Sequence, residues 1–184
     1  AFGLRFWGVG WGMPFTLHSD EPKYLPKAVR MLLTGDANPH YFENPPFLTY
    51  IFLLELLVSL PLGRVAGFIS SAQDIGTWLL VDPTLLYAAA RGQIALLGTG
   101  TVLLTYAIAR RVLEPKTALA SAFLLAVGFL HVRDSHFAVN DVPATFLLMA
   151  SIYFAMRIYS DGRRRDYLLS GLFLGLAVAT KYNV

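Results

Sequence analysis

The sequence predicts an all-α fold: a polytopic transmembrane helical bundle with an extracytoplasmic first loop carrying short helices. Three observations lead there. The 184 residues are 55% hydrophobic and 15% charged, with a mean hydropathy of +0.53, whereas an ordinary soluble domain is about 25% charged. Apolar runs of near-membrane length alternate with short polar turns, and Lys and Arg gather in two of those turns. The chain has no cysteine, which excludes disulfides and thiolate chemistry, and its net charge of +3 carries no nucleic-acid signature. The surrounding partner is membrane lipid.

Taken in order, the first apolar run, Phe2 to Phe15, is shorter than the roughly 20 residues that span a bilayer. With no initiator Met, the chain is expected to be the N-terminal part of a longer polytopic protein, residues 1–17 being the end of its first membrane helix. Residues 18–45 form an outer loop. Within it, Pro22 suits a first helical turn, Ser19 or Asp20 is the expected N-cap, and Gly35 closes a short helix over residues 21–34. The proline-rich segment 36–46 reads as an ordered loop. Residues 46–184 supply further membrane helices. The first is Phe47 to Leu62, ended by Pro61 and Gly63; residues 64–83 are mixed, interrupted by Gln73, Asp74 and Asp82. Spans follow at Leu85 to Ala109, Thr117 to Leu130, residues 143–159 and Tyr167 to Thr180.

Positive charge marks the cytoplasmic side, so Arg110-Arg111 with Lys116, and Arg163-Arg164-Arg165, should share that face. The loop from Arg133 to Asp141 then lies outside, and Lys181 approaches the same outer face. For Asp20 to join them, residues 46–84 must leave the outer surface and return. A hairpin of two membrane limbs, 47–62 and 65–81, satisfies this parity, as does a segment lying in the interface.

Two polar groups stand out. His18-Ser19-Asp20-Glu21-Pro22-Lys23-Tyr24 puts two adjacent carboxylates at the mouth of a membrane segment, where ionisable groups are costly without a partner. His131, Arg133, Asp134, Ser135, His136, Asn140 and Asp141 crowd the second outer loop. Structural roles account for both groups as well, with Asp20 and Asp141 capping helices and Arg133 pairing with Asp134. On one face of the membrane, however, these carboxylates and Lys181 could hold a divalent cation and an anionic substrate. Asp20, Asp141, His131 and Asp134 are the candidate metal ligands. No tight zinc motif is present, and the glycine runs lack the context of a phosphate loop.

The order of Asp20-Glu21 with Tyr24, Asn44-Pro45-Pro46-Phe47, Ala90-Arg91, Leu97-Gly98-Thr99, His131 to His136, Asn140-Asp141-Val142-Pro143 and Thr180-Lys181-Tyr182-Asn183 resembles the polytopic GT-C glycosyltransferases. Within them it is most similar to the branch of the protein O-mannosyltransferases and the lipid A aminoarabinose transferase. The resemblance implies an enzyme of the plasma or inner membrane, its active site extracytoplasmic. It would pass a sugar from a polyprenyl-phosphate donor to a protein, lipid or glycan acceptor.

It implies Asp20 as base with Glu21 beside it, and Asp141 assisting. Lys181, Arg91 and Arg133 would lie near the carrier phosphate, with Tyr24 and Tyr182 in substrate binding. Relatives often carry lysine before the paired prolines, where this chain has Asn44. The competing reading is a transporter or flippase of a lipid-linked or anionic solute, which binds with the same groups and performs no chemistry. A third is a scaffold subunit.

Overall fold

The computed structural model describes residues 1–183, and among these it contains nine α-helices and no strand. They are α1 (Phe2–Phe6), α2 (Leu25–Thr34), α3 (Phe47–Val65), α4 (Ala72–Val81), α5 (Thr84–Ala109), α6 (Pro115–Val127), α7 (Phe129–Asp134), α8 (Asp141–Asp161) and α9 (Arg164–Thr180). By length and composition α3, α5 and α8 could each cross a membrane. The chain is that of a multi-pass membrane protein.

The bundle is built on α5. Helices α1, α6 and α8 pack on it, and α9 returns along α8 as a hairpin. Small and polar residues hold that hairpin: Ser151 Oγ donates to Ser170 O at 2.9 Å and Ser170 Oγ to Ser151 O at 3.1 Å. Arg157 Nε lies 3.2 Å from the buried Asp166 carboxylate. Gly162, at φ 61°, ends α8 with its N–H on Ile158 O, a position that suits glycine. Arg111 Nη1 donates to Ser160 Oγ at 3.3 Å, so the two basic turns share one end of the bundle.

The main core lies toward the other end. There Leu25, Ala28 and Val29 of α2, Leu48, Phe52 and Leu56 of α3, and Ile75 of α4 pack over Leu86, Tyr87, Ala90 and Ile94 of α5. Ala138, Val139 and Val142 complete it. Helices α2, α3 and α4 thus form one layer over the first part of α5.

Several elements differ from the sequence expectation. The first helical run stops at Phe6, because Gly8 and Gly12 adopt φ 74° and 83° and the chain turns irregularly from there to Asp20. The expected helix over 21–34 is divided into a 3₁₀ turn, Glu21–Lys23, and α2, closed as expected by Gly35 at φ 70°. Asp20 does not cap it: its side chain makes no cap bond and turns to Lys23 instead.

Helix α3 runs through Pro61 to Val65. The chain then reverses at Gly67 (φ 77°), with Phe68 and Ile69 N–H on Gly63 O at 2.9 and 3.2 Å. The second limb of the expected hairpin fails as a span. Its helix, α4, has ten residues, about 15 Å at 1.5 Å each, and starts at a Ser71–Asp74 capping box. The span expected over 117–130 breaks at Gly128 (ψ 114°) into α6 and α7.

Candidate active site

Glu21 and Arg91 form the node that fixes this site. Both are fully buried, and they meet in a bidentate pair: Arg91 Nε donates to Oε1 and Nη2 to Oε2, each at 2.7 Å. Oε1 also accepts the Ala138 N–H at 2.8 Å. Arg91 Nη1 donates to Val9 O and Trp11 O at 3.0 and 2.9 Å. One ion pair therefore ties together the segment after α1, the acidic loop, α5 and the second polar loop. The guanidinium is largely engaged before any substrate arrives, so the geometry makes Glu21 and Arg91 a clamp.

Asp20, next in sequence, faces the other way. Its side chain is 37% exposed and its Oδ1 lies 2.8 Å from Lys23 Nζ. Its backbone N–H donates to His18 Nδ1 at 3.1 Å, and the His18 ring packs on Phe137 with centroids 4.9 Å apart. The hydrogen bond from Lys23 to Asp20 outweighs partial desolvation and holds the Lys23 ammonium above its ordinary pKa.

Lys23 also reaches Glu43 at 3.7 Å. Tyr41 Oη donates to Glu43 Oε2 at 2.9 Å and accepts from Asn44 Nδ2 at 3.1 Å. Asn44 is thereby part of a loop held to Lys23 through Glu43. The Tyr24 hydroxyl is buried without a hydrogen-bond partner among the described residues. Burial first, then the nearby Tyr41, Asp20 and Asp141, push its pKa well above the ordinary value, so it is a neutral donor.

The second constellation meets the end of α9. Lys181 Nζ donates to Asp141 Oδ1 at 2.5 Å, and the neighbouring Asn140 Nδ2 donates to Thr180 O at 3.1 Å. Asp141 and Lys181 keep side-chain exposures of 44% and 29%. Tyr182 is exposed. Arg133 pairs with Asp134, Nε to Oδ1 at 2.8 Å, and lines a cavity of about 290 Å³ with Trp7, Gly8, Trp11, Arg91, His136 and Phe137. His136 lies between two carbonyl oxygens, Val132 O and Trp7 O, each 2.8 Å from a ring nitrogen.

The four candidate metal ligands are not gathered. Asp20 is paired with Lys23, Asp141 with Lys181, Asp134 with Arg133, and His131 with Arg5. No three His, Asp or Glu side chains converge among the described residues, so this arrangement does not fit a metal cage. Sequence reasoning passed over Arg5, Lys23, the Ala138 N–H and the Trp7–Trp11 cavity wall. For Arg5 a signal existed, since it is a lone charge inside an apolar run.

The family model for dolichyl-phosphate-mannose-protein mannosyltransferase matches residues 85–184, more than half of the chain. The chain belongs to that family. It is thus a GT-C member, as its motif order led us to expect.

Among curated relatives, an undecaprenyl phosphate-alpha-4-amino-4-deoxy-L-arabinose arabinosyl transferase of Pseudomonas aeruginosa (strain UCBPP-PA14) is 30% identical over 188 residues. That match covers 96% of this chain and 29% of the relative. Dolichyl-phosphate-mannose--protein mannosyltransferase 1 of Candida albicans is 36% identical over 94 residues, 48% of this chain and 11% of the relative. An uncharacterized protein of Aquifex aeolicus (strain VF5) is 37% identical over 88 residues, 47% and 18% respectively. The chain therefore spans less than a third of each of these relatives. No solved structure matches.

Proposed function

We propose that this family member carries the catalytic loop of a membrane glycosyltransferase. The enzyme transfers a sugar from a polyprenyl-phosphate donor to an acceptor hydroxyl on the extracytoplasmic face of the cell membrane. One observation carries the reading: the buried Glu21–Arg91 clamp leaves its neighbour Asp20 half-exposed on a fixed platform. The two basic turns share one end of the bundle, whereas Asp20, Asp141 and Lys181 belong to segments that close its other end. The positive-inside rule then assigns the acidic end to the outside.

In this mechanism Asp20 is the general base. It accepts the proton of the acceptor hydroxyl as the oxygen forms its bond to the anomeric carbon. The bond from that carbon to the phosphate oxygen breaks with its electron pair, and polyprenyl phosphate departs. Such a single displacement inverts the anomeric centre. Lys23 holds the Asp20 carboxylate in place until the acceptor arrives, and Lys181 and Arg133 stabilise the departing phosphate by exchanging their carboxylate partners for it. Asp141 orients Lys181, Tyr24 donates from beneath the loop, and Tyr182 borders the substrate. Glu21 and Arg91 position the loop.

The test is the fate of the donor with full-length protein in liposomes. Appearance of free polyprenyl phosphate together with a glycosylated acceptor is the expected result. Movement of the lipid-linked sugar across the bilayer with its bond intact would establish a transporter instead.

A further inference from the structure

Among the described residues, Arg5 is a fully buried cation with no carboxylate opposite it. Its Nη1 donates to Ala126 O at 3.1 Å and to Ala1 O at 3.2 Å; its Nη2 donates to Leu125 O at 3.2 Å and meets His131 Nδ1 at 2.9 Å. Arginine has no acceptor, so His131 Nδ1 accepts and the ring proton sits on Nε2. Leu125 and Ala126 lie in the last turn of α6, where the break at Gly128 leaves partial negative charge, and Leu125 O also accepts the Gly128 N–H at 3.3 Å.

Space for this arrangement comes from α5. A Cβ on Gly98 would lie 3.2 Å from Arg5 Cδ and Nε and 2.4 Å from Ser135 Oγ. Ser135, also buried, donates to His131 O at 2.6 Å and begins the loop that ends at Asp141. Along that loop the Ala138 N–H grips Glu21, next to Asp20.

We propose that Arg5 is a positioning residue for the transfer reaction. Its buried guanidinium fixes the break between α6 and α7, and through it the placement of the 135–141 loop against the Glu21–Arg91 clamp. The inference rests on the transferase reading for its consequence in rate, and on geometry alone for the break.

The experiment uses full-length protein in nanodiscs, wild type against Arg5→Ala and Arg5→Lys. Donor kcat and KM are measured with and without guanidinium. The distance between spin labels at the exposed positions Leu103→Cys (α5) and Leu130→Cys (α7) is measured in the same variants. Arg5→Ala is expected to lower kcat about 100-fold, the scale of a displacement of about 1 Å, with KM nearly unchanged. Its 103–130 distance distribution broadens or shifts, and added guanidinium restores both rate and distance.

Arg5→Lys keeps the charge without the fork and recovers less than guanidinium does. A wild-type rate in Arg5→Ala, an unchanged distance distribution, or a lost rate that guanidinium leaves untouched would each overturn the proposal. If Arg5→Ala does not fold, Arg5→Lys decides by the same distance. If wild-type protein transfers no sugar, the functional reading falls, and the distances still judge the role of Arg5 at the break.

Discussion

Asp20 and Glu21 are neighbours in sequence and opposites in structure. One is buried in a bidentate pair and the other stands at the surface beside Lys23. The sequence presents them as a twin acidic motif. What separates their roles is Arg91, seventy positions away, together with the Ala138 N–H and the carbonyls of Val9 and Trp11. None of these long-range partners leaves a local signal. Glu21→Ala would strand a buried guanidinium, so we expect a loss of about 3–5 kcal/mol and a lower unfolding midpoint, whereas Asp20→Asn should leave the midpoint near wild type. Thermal unfolding of the full-length protein in detergent compares them directly.

Tyr24 gives a pH prediction. Its raised folded-state pKa means that its contribution to stability is complete below the ordinary tyrosine value of about 10, and is lost as pH rises beyond that value toward the folded one. Wild type should therefore lose stability above pH 10 more steeply than Tyr24→Phe, measured as unfolding midpoint against pH. Equal slopes would remove Tyr24 as the cause.

At the scale of elements, the long spans α3, α5 and α8 were legible from their runs of hydrophobic residues, and the end of α2 from Gly35, which closes it at positive φ. Interruptions were harder to read. Pro61 looks like a stop, yet α3 tolerates it one turn from its end, and the reversal comes at Gly67. Gly128 looks like an ordinary small residue in a span, yet α6 ends there, and Arg5 donates to the Leu125 and Ala126 carbonyls of its last turn. Those compensations are tertiary. In α4 the Ser71–Asp74 box can be tested alone: Ser71→Ala should cost about 1 kcal/mol, seen as faster amide exchange in the first turn of α4 with α5 and α8 unaffected. Gly98→Val places carbon against Ser135 Oγ and Arg5, and overpacking there should cost about 1–3 kcal/mol by the same unfolding assay.

For the whole molecule, charge distribution carried the topology. Two basic turns were expected to share a face, and Arg111 and Ser160 meet there; Asp141 and Lys181 were expected to share the other, and they pair. The route of residues 46–84 stayed open because length and hydropathy alone let α3 cross, whereas its packing with α2 and α4 over the start of α5 depends on side chains from four segments. Because this chain has no cysteine, single cysteines report topology cleanly within it. Phe42→Cys should react with an impermeant maleimide from outside intact cells, and Leu113→Cys only after permeabilisation; both are exposed. The reverse pattern would invert the bundle.

The most direct test of the account is sugar transfer from a polyprenyl-phosphate donor by full-length protein, wild type against Asp20→Asn at equal folded yield, with donor binding measured in parallel. The account predicts that Asp20→Asn binds donor as wild type does and loses transfer by about 100-fold or more, the scale of a missing general base. Undiminished transfer by Asp20→Asn would contradict it, and would leave the first loop a clamp without a catalytic base.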